Sequence, residues 1–286
     1  MPEGVECLIV AEGIQKWFQD RKKTCDMNLY LGEITVPGFF RDSSVSYEEF
    51  NEIFGEVEVD KIGTHGKTIF IPSKKYVLAS QLAMSGTYHI EKNKHTRVEF
   101  YIYGKEDNRK HYLYYNDIRK FGRFFIVQND ADKAFFKRME SSPDWRDLDA
   151  PERFVENVSK YVCSYNKNIK EMLMNQDLIV GIGNIYANEA LFLAKINPLS
   201  IVKDLSSERL KILVRAAQKI MFESYKLGGM TIDSFTSFGQ KGQGKKLLKV
   251  YDRFGILCSV CQKGIIQKIE IQKRPTWYCP ICQKVN

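Results

Sequence analysis

The sequence predicts an α+β protein in which an antiparallel β-sandwich or barrel precedes a helical region and a cysteine-bearing β-hairpin. Three observations predict this order. Short runs of apolar residues alternate with polar ones over about residues 28–128, as they do in half-buried strands. Beyond residue 151 the apolar residues recur with the period of an α-helix. Two Cys-x2-Cys pairs then lie between residues 258 and 282.

An amphipathic helix is predicted over residues 5–18, because Val10, Ile14 and Trp17 fall on one helical face. The rest of residues 1–128 is predicted to form a mainly antiparallel sheet, because glycines and polar residues separate its short apolar runs. We therefore expect an N-terminal domain over residues 1–128. The runs predicted as strands include Val57–Asp60, Thr68–Ile71, Tyr76–Leu78, Val98–Ile102 and Phe124–Val127.

Composition divides the remaining residues into four segments. Residues 129–150 are charged and lack a sustained period, which predicts a linker. Residues 151–233 are predicted to be a helical domain. Residues 234–247 are polar and Gly-rich, which is typical of a mobile loop that closes over a ligand or of a plain flexible connector. Residues 248–286 form the cysteine module. The apolar stripe of one predicted helix comprises Leu210, Leu213, Val214, Ala217 and Met221.

The charge favours a nucleic-acid partner. The 286 residues carry a net charge of +8 with a pI near 9.0, and a basic excess attracts polyanions. Apolar residues make up 44 % of the chain, but no run approaches the roughly 20 residues that a membrane helix needs. The first residues include glutamates and lack the basic segment of a signal peptide. We expect an intracellular protein, in the cytoplasm or nucleus, without membrane contact.

The cysteine module has the spacing Cys-x2-Cys-x17-Cys-x2-Cys. Four thiolates at this spacing are typical of a closed tetrahedral site for one structural Zn²⁺. Two strands of a hairpin are predicted between the pairs, with Lys273 and Arg274 at its turn, where a cation can bind phosphate. The alternative is a zinc ribbon that only stabilises the C-terminal segment. Cys7, Cys25 and Cys163 are scattered and receive no role. The predicted ligands are Cys258, Cys261, Cys279 and Cys282.

A glycine turn, Gly181-Ile-Gly-Asn184, separates two helical segments. Its backbone N–H groups and Asn184 would face a phosphate at a helix start, although any helical hairpin uses glycines in this way. A dinucleotide site is excluded, because no strand precedes the turn and the third glycine of that fingerprint is missing.

Together these segments resemble the Fpg/Nei family of formamidopyrimidine-DNA glycosylases and endonuclease VIII-like proteins. The resemblance follows the family's order over nearly the whole chain. Val5, Ile118 and Lys120 depart from the proline, proline and arginine that the family has there, which leaves the preferred lesion open. The matching segments are Pro2–Glu6, Gly66–Lys67 with Leu82–Gly86, Asp117–Gly122, Gly181–Glu189, Gly228–Ile232 and Arg274–Gln283.

The resemblance implies a helix–two-turn–helix domain, a zinc-finger hairpin, and a bifunctional DNA glycosylase/AP lyase of base excision repair. In this family Pro2 would be the nucleophile, because removal of Met1 exposes a secondary amine that attacks C1′ of a deoxyribose. Glu3 would move protons at the sugar and the departing base. Met-Pro starts are common and usually carry no chemistry, but here a carboxylate stands beside the proline.

The remaining site residues are also carried over from the resemblance. Lys67 and Arg274 become catalytic phosphate contacts around a flipped nucleotide, and Asn184 a DNA contact. The group that fills the vacated space in the duplex comprises Met84, Arg119 and Phe121, although Met84 and Phe121 taken alone would more often be core residues. Glu6 matches an active-site carboxylate. The implied partner is damaged DNA with an oxidised base or abasic site, bound by a monomer.

Two other classes of protein share parts of this pattern. A non-catalytic damaged-DNA-binding protein could have the same fold, but it needs neither Pro2 nor Glu3 at the N-terminus. A ribosomal or topoisomerase-type protein could share the helical motif, but it would lack the N-terminal sheet and Arg119-x-Phe121. The sequence leaves oxidised purines, formamidopyrimidines and oxidised pyrimidines open as substrates.

Overall fold

The structure, a computed structural model, describes residues 2–40, 46–129, 133–161, 166–230 and 238–284. It divides into two compact units. The first comprises residues 1–137 and 228–242, and the second comprises residues 138–227 and 243–286.

The first unit begins with helix α1 (Gly4–Gln19), close to the predicted bounds, and its predicted apolar face is buried. Two antiparallel four-stranded sheets follow, as predicted, with the orders β1-β6-β7-β5 and β2-β3-β4-β8. Short helix α2 (Phe50–Ile53) lies between β1 and β2 in the chain. The strands are β1 (Tyr30–Ile34), β2 (Gly63–His65), β3 (Thr68–Pro72), β4 (Tyr76–Gln81), β5 (Gly86–His89), β6 (Thr96–Tyr103), β7 (Lys110–Asp117) and β8 (Arg123–Gln128).

The core of the first unit lies between the sheets and α1. Phe100 of β6 and Tyr115 of β7 make edge contacts with Phe124 of β8, at 5.8 and 4.9 Å between ring centroids. These aromatic pairs join the inner faces of the two sheets, so the unit is a sandwich. The apolar face of α1 joins the same cluster of buried residues.

One predicted strand, Val57–Asp60, is wrong. Val57 forms a single antiparallel bridge with Ser73, and Val59–Lys61 is one turn of 3₁₀-helix. Both valines are buried, so the alternation correctly indicated burial. The N–H of Lys61 donates to the Glu58 carbonyl, which closes a turn where a strand would continue.

The segment predicted as a linker, residues 129–150, includes helix α3 (Lys133–Ser141), within which the first unit ends. It also includes Trp145, which is 1 % exposed and whose backbone N–H donates to the Val180 carbonyl. A buried tryptophan among charged residues carries no periodic signal, so the sequence pattern missed this packing.

The second unit contains the predicted helices, α4 (Ala150–Lys160), α5 (Ile169–Leu173), α6 (Asn184–Leu193) and α7 (Ser207–Lys226), and strands β9 (Gln267–Ile271) and β10 (Arg274–Tyr278). The Ser206 hydroxyl caps α7 by accepting the N–H of Arg209, and the predicted apolar stripe of α7 is buried. Of the predicted loop 234–247, residues 234–237 lie outside the described ranges, and Gly244–Leu247 forms a 3₁₀ turn. None of the helices in the described ranges has the length and apolar character that crossing a membrane requires.

Candidate active site

The two carboxylates predicted from the sequence to belong to the active site, those of Glu3 and Glu6, lie at the N-terminus of α1. Pro2 and Glu3 directly precede the helix and are buried, with Glu3 at 0 % exposure. The Glu3 N–H donates to Oε2 of Glu6 at 2.9 Å, and Oε1 of Glu6 accepts the N–H of Met230 at 2.8 Å. Each oxygen of Glu6 therefore satisfies a backbone donor, one at the helix start and one in the segment after Gly229. Glu6 holds Pro2 and Glu3 in place.

The Gly228–Gly229 pair permits this contact. Both glycines have positive φ, at +77° and +88°, which side-chain-bearing residues rarely adopt. A Cβ on Gly229 would lie 3.1 Å from Oε1 of Glu6, so a side chain would press against the carboxylate. Gly242 lies against the carbonyls of this pair. The two ends of the segment between them are thus held close together.

Lys67 lies in a two-residue turn between β2 and β3, where Gly66 has a φ of +57°. Its carbonyl accepts a hydrogen bond from Sγ of Cys7 at 3.5 Å. Burial raises the pKa of the Cys7 thiol well above its usual range; the charges of Glu6 and Glu3 raise it further, and that of Lys67 lowers it. All three charges thus act at Cys7, so Lys67 lies near the start of α1.

Cys7 received no role from the sequence, and the structure places it among these charged groups. Its raised pKa keeps it a neutral thiol, which is a weak nucleophile. A cysteine on the buried face of a helix has the pattern of an ordinary core residue, so nothing in the sequence indicated that Cys7 lies among charged groups.

Met84 and Phe121 are exposed, at 39 % and 57 %, so the alternative that they are core residues is wrong. They lie on two loops of the first unit. Nη1 of Arg119, two residues before Phe121 in the chain, is 3.1 Å from Sδ of Met84. The structure therefore places Arg119 against Met84, with the exposed Phe121 on the same loop as Arg119. Exposed apolar side chains beside a cation suit insertion into a base stack.

In the second unit, the glycine turn is built tightly. Gly181 has a φ of +97°, and a Cβ there would overlap the ring of Trp145. The Gln176 side chain accepts the Gly181 N–H and donates to the Ile182 carbonyl, both at 3.0 Å. Asn184 then begins α6. The contact with Trp145 and the hydrogen bonds of Gln176 thus fix the conformation of the turn, and α6 begins directly after it.

Asn184 is largely buried, and its Nδ2 donates to the carbonyl of Pro275 at 3.1 Å. It therefore lies against β10 beside Arg274. Asn188, one turn later, accepts the N–H of Trp277 through Oδ1 at 2.8 Å. Helix α6 thus holds β10, and with it Arg274, through two asparagine side chains.

Glu189 of α6 holds the chain that leads into the cysteine module. Its carboxylate accepts the N–H groups of Lys249, Val250 and Tyr251 at 2.8 to 3.0 Å. Burial raises the pKa of this carboxyl, and the three backbone donors counteract that rise.

The buried Lys170 is a further contact that sequence reasoning missed. Its Nζ donates to Oγ1 of Thr276 at 2.5 Å and to the carbonyl of Pro275 at 3.3 Å. It lines a cavity of about 330 Å³ with Lys167 and Arg274 among its neighbours. A lysine buried in a short helix is not distinguishable by pattern from an exposed one.

Arg274 is exposed and is the first residue of β10, paired with Ile271. The hairpin turn consists of Gln272 and Lys273, with φ of +50° and +58°, as in a type I′ turn. The prediction that Arg274 belongs to the turn is therefore wrong by one residue. A paired strand position holds Arg274 more firmly than a turn would.

The four predicted ligand cysteines lie together, with all four Sγ atoms within 4.8 Å of one another. The Sγ atoms are 3.9 Å apart for Cys258 and Cys282, and 3.7 Å apart for Cys261 and Cys279. A tetrahedral ion bound at about 2.3 Å from each sulfur requires a separation of about 3.8 Å. The backbone N–H groups of Gly264 and Lys263 lower the pKa of Cys261 to about 6, which favours its thiolate. The four side chains can therefore hold a metal ion.

Comparison with known proteins places these features in one family. Residues 1–124 match the family model of the formamidopyrimidine-DNA glycosylase N-terminal domain, and residues 147–236 match that of the formamidopyrimidine-DNA glycosylase H2TH domain.

Curated relatives and solved structures match over most of their length. The formamidopyrimidine-DNA glycosylases of Mycoplasma mobile and Mycoplasmopsis pulmonis are 31 % and 32 % identical; the matches cover 93 % and 99 % of this chain, and 95 % and 98 % of those proteins. A Lactococcus lactis Fpg in complex with abasic-site DNA superposes with a TM-score of 0.77 at 27 % identity, covering 97 % of this chain and 99 % of that one. A MutM complex with DNA containing carbocyclic 8-oxo-G gives 0.78 at 26 % identity, covering 99 % and 100 %. The chain therefore belongs to the formamidopyrimidine-DNA glycosylase (Fpg/Nei) family.

Proposed function

We propose that this protein is a bifunctional DNA glycosylase/AP lyase of base excision repair, which excises oxidised bases through an iminium formed on Pro2. The observation that carries the proposal is the position of Pro2 and Glu3, buried side by side at the start of α1 with Lys67 nearby. The relatives named formamidopyrimidine-DNA glycosylase, and the DNA complexes of solved neighbours, support the same substrate class.

The chemistry follows from a secondary amine at position 2 once Met1 is removed. An α-amine has a pKa of about 8, so a useful fraction is neutral near pH 7 and can attack C1′. The C1′–N bond to the base breaks, the base leaves with a proton, and the sugar ring opens to an iminium. Loss of the C2′ proton expels the 3′ phosphate, a second elimination expels the 5′ phosphate, and water then releases the amine.

Glu3 is proposed to carry protons in these steps. Its carboxylate is on the residue next to Pro2, and its backbone N–H donates to Glu6, which fixes the Pro2–Glu3 peptide at the start of α1. A positioned acid–base group contributes roughly 10²- to 10⁴-fold to rate. Glu6 already accepts two backbone N–H groups, so we assign it to holding the site in place.

Zn²⁺ is proposed as the ion of the four-cysteine site. Four thiolates without an open position suit a structural zinc that supplies no catalytic chemistry. Its role would be to keep β9 and β10 folded, and with them Arg274. Lys67 and Arg274 are each proposed to bind a phosphate. Asn184 is proposed to donate to a phosphate through the second N–H of its amide, since the first donates to the carbonyl of Pro275.

Replacing Glu3 with Gln tests the division of roles. Glu3→Gln keeps the size of the side chain but removes the carboxylate, so base release should fall by about 10²-fold or more. Cleavage of a preformed abasic site should decline less, because that step begins with the amine. The measurement is single-turnover cleavage of duplexes containing 8-oxoguanine, thymine glycol, a hydantoin or an abasic site. Glu12→Gln, on the same helix, is the matched control and should behave like the parent. Equal losses of both activities in Glu3→Gln would contradict the division.

The two proposed phosphate contacts can be tested by salt dependence. Lys67→Ala and Arg274→Ala should each reduce the slope of log affinity against log salt by about one, because one fewer counterion is released. Asn184→Ala removes a neutral donor, so affinity should fall with little change in slope. Lys16→Ala is the control, since this exposed lysine is paired with Asp20. Binding to an abasic-analogue duplex measures all four; parent-like slopes for Lys67→Ala and Arg274→Ala would contradict the assignment.

A further inference from the structure

Two loops of the first unit carry the residues proposed to enter the duplex. The first loop, residues 82–85, joins β4 to β5 and contains Met84. The second loop, residues 118–122, joins β7 to β8 and contains Arg119 and Phe121. We call them the wedge loops. Their tips touch through Arg119 and Met84, as described above.

One carboxylate, that of Asp117, bonds to both wedge loops. Its side chain is completely buried, at 0 % exposure. Oδ1 accepts the hydroxyl of Ser85 in the first loop and the N–H of Arg119 in the second, the latter at 3.1 Å. Oδ2 accepts the N–H of Gly122, where the second loop ends, at 2.8 Å. Asp117 therefore fixes both ends of the second loop and the end of the first.

Ser85 is the bridge between the loops. Its Oγ donates to Asp117 and accepts the N–H of Arg119 at 2.9 Å. The Arg119 N–H is thus shared between a hydroxyl of one loop and a carboxylate at the base of the other. Removal of this single hydroxyl would break the hydrogen bonds that join the bases of the two loops and would leave the side chains at their exposed tips unchanged.

The two wedge loops also pack against the same phenol, that of Tyr115. A Cβ on Gly86, just after the first loop, would overlap the hydroxyl of Tyr115, and so would a Cβ on Gly122. Glycine is needed at both positions because Tyr115 occupies the space of a side chain. The Asp117 carboxylate and the Tyr115 side chain therefore set the positions of the two loops relative to each other.

The buried Asp117 carboxylate is held by neutral donors. Within the described ranges, the Asp117 carboxylate faces the Ser85 hydroxyl, the Tyr115 phenol and backbone N–H groups, and no Lys or Arg side chain pairs with it. Burying an ionised carboxylate costs free energy that neutral donors offset only when they are well placed. These contacts fix the position of one wedge loop relative to the other.

We infer that Asp117 is a positioning residue that, through Ser85, holds Met84, Arg119 and Phe121 as one preformed wedge. The inference rests on the proposed function, in which these side chains fill the space left by a displaced base. Loops that are ordered before binding do not lose conformational freedom on insertion, so the wedge enters the duplex at lower cost. Asp117 itself touches no DNA; it acts through the loops.

Three variants separate positioning from general stability. Ser85→Ala removes the bridging hydroxyl at a half-buried loop position, where the fold should persist. Ser85→Thr restores a hydroxyl at the same place and should rescue the parent behaviour. Asp117→Asn exchanges one carboxylate oxygen for an NH₂ group, which accepts no hydrogen bond, so the N–H of either Arg119 or Gly122 loses this acceptor. Thermal unfolding of each variant shows that the fold is retained.

The experiment uses a duplex with a tetrahydrofuran abasic analogue opposite 2-aminopurine, so that no chemical step is required. Binding of the parent protein should change the 2-aminopurine fluorescence as the wedge enters the stack. Ser85→Ala and Asp117→Asn should lose most of that change and bind about tenfold more weakly, the equivalent of ordering one or two side chains. Ser85→Thr should restore both signals.

A second measurement distinguishes this inference from the proposed function. Cleavage of an abasic site in a single strand needs no wedge, because no opposite base is present, so all variants should cleave it at the parent rate. The inference is overturned if the parent leaves the fluorescence unchanged, if Ser85→Ala and Asp117→Asn match the parent in fluorescence and affinity, or if Ser85→Thr fails to rescue. A parent protein that cleaves no abasic strand would contradict the proposed function, while the fluorescence arm would still decide the inference.

Discussion

Replacing Pro2 with Gly is expected to lower excision of an oxidised base by about 100-fold or more, equivalent to about 2.7 kcal/mol of transition-state free energy. Glycine leaves a primary amine, but it removes the ring that makes the nitrogen a secondary amine and fixes the direction of its lone pair. Cleavage of a preformed abasic site should fall as well, because both activities begin at the same nitrogen. Single-turnover cleavage of lesion and abasic duplexes measures both rates.

A matched control keeps the proline but blocks its amine. Protein carrying an uncleaved N-terminal tag should be as inactive as Pro2→Gly, although it should still bind an abasic-analogue duplex. Val5→Ala, a buried change three residues later in α1, should retain activity at reduced stability. Full activity of both the tagged protein and Pro2→Gly would show that another residue, such as a lysine, is the nucleophile.

The second large effect is expected from loss of one metal ligand. Cys279→Ser should abolish zinc binding, unfold the hairpin of β9 and β10, and release Arg274 from its strand position. Structural zinc contributes on the order of 10 kcal/mol to folding of such modules, more than the local contacts can replace. Glu189 and Asn188 would lose the backbone groups that they bind, but the β-sandwich of the first unit should stay folded.

Metal analysis and calorimetry together test this second prediction. The parent should contain one equivalent of zinc, and Cys279→Ser should contain little and show an early unfolding transition. Cys25→Ala provides the control, because Cys25 is a buried cysteine in the first unit that should cost stability but no zinc. A parent protein without zinc that cleaves damaged DNA at full rate would contradict the structural role.

Periodicity and spacing predicted the parts of this molecule that depend on local pattern. The apolar face of α1, the stripe of α7 and the four clustered cysteines are all confirmed, because each reflects a repeat that burial or a tetrahedral site imposes. At Val57–Asp60 the alternation correctly predicted that the valines are buried but not their secondary structure, because a 3₁₀ turn buries them as a strand would.

The contacts that position the site could not be predicted, because they join residues far apart in sequence. Glu6 reaches Met230, and Asn184 and Lys170 both reach Pro275. None of these side chains differs in pattern from a solvated one, and only the folded backbone brings the partners together. The family resemblance named Asn184 as a DNA contact, whereas the structure adds that its amide is already engaged by a carbonyl.

If the reacting nitrogen belongs to Pro2, the position of a covalent adduct trapped during the reaction will show it. Sodium borohydride added during reaction with an abasic or oxidised duplex reduces the iminium to a stable amine, which joins protein to DNA. Proteolysis and mass spectrometry then identify the modified peptide. We expect an adduct on the N-terminal peptide at Pro2, with Met1 absent. An adduct on a lysine, or no adduct during efficient strand cleavage, would contradict it.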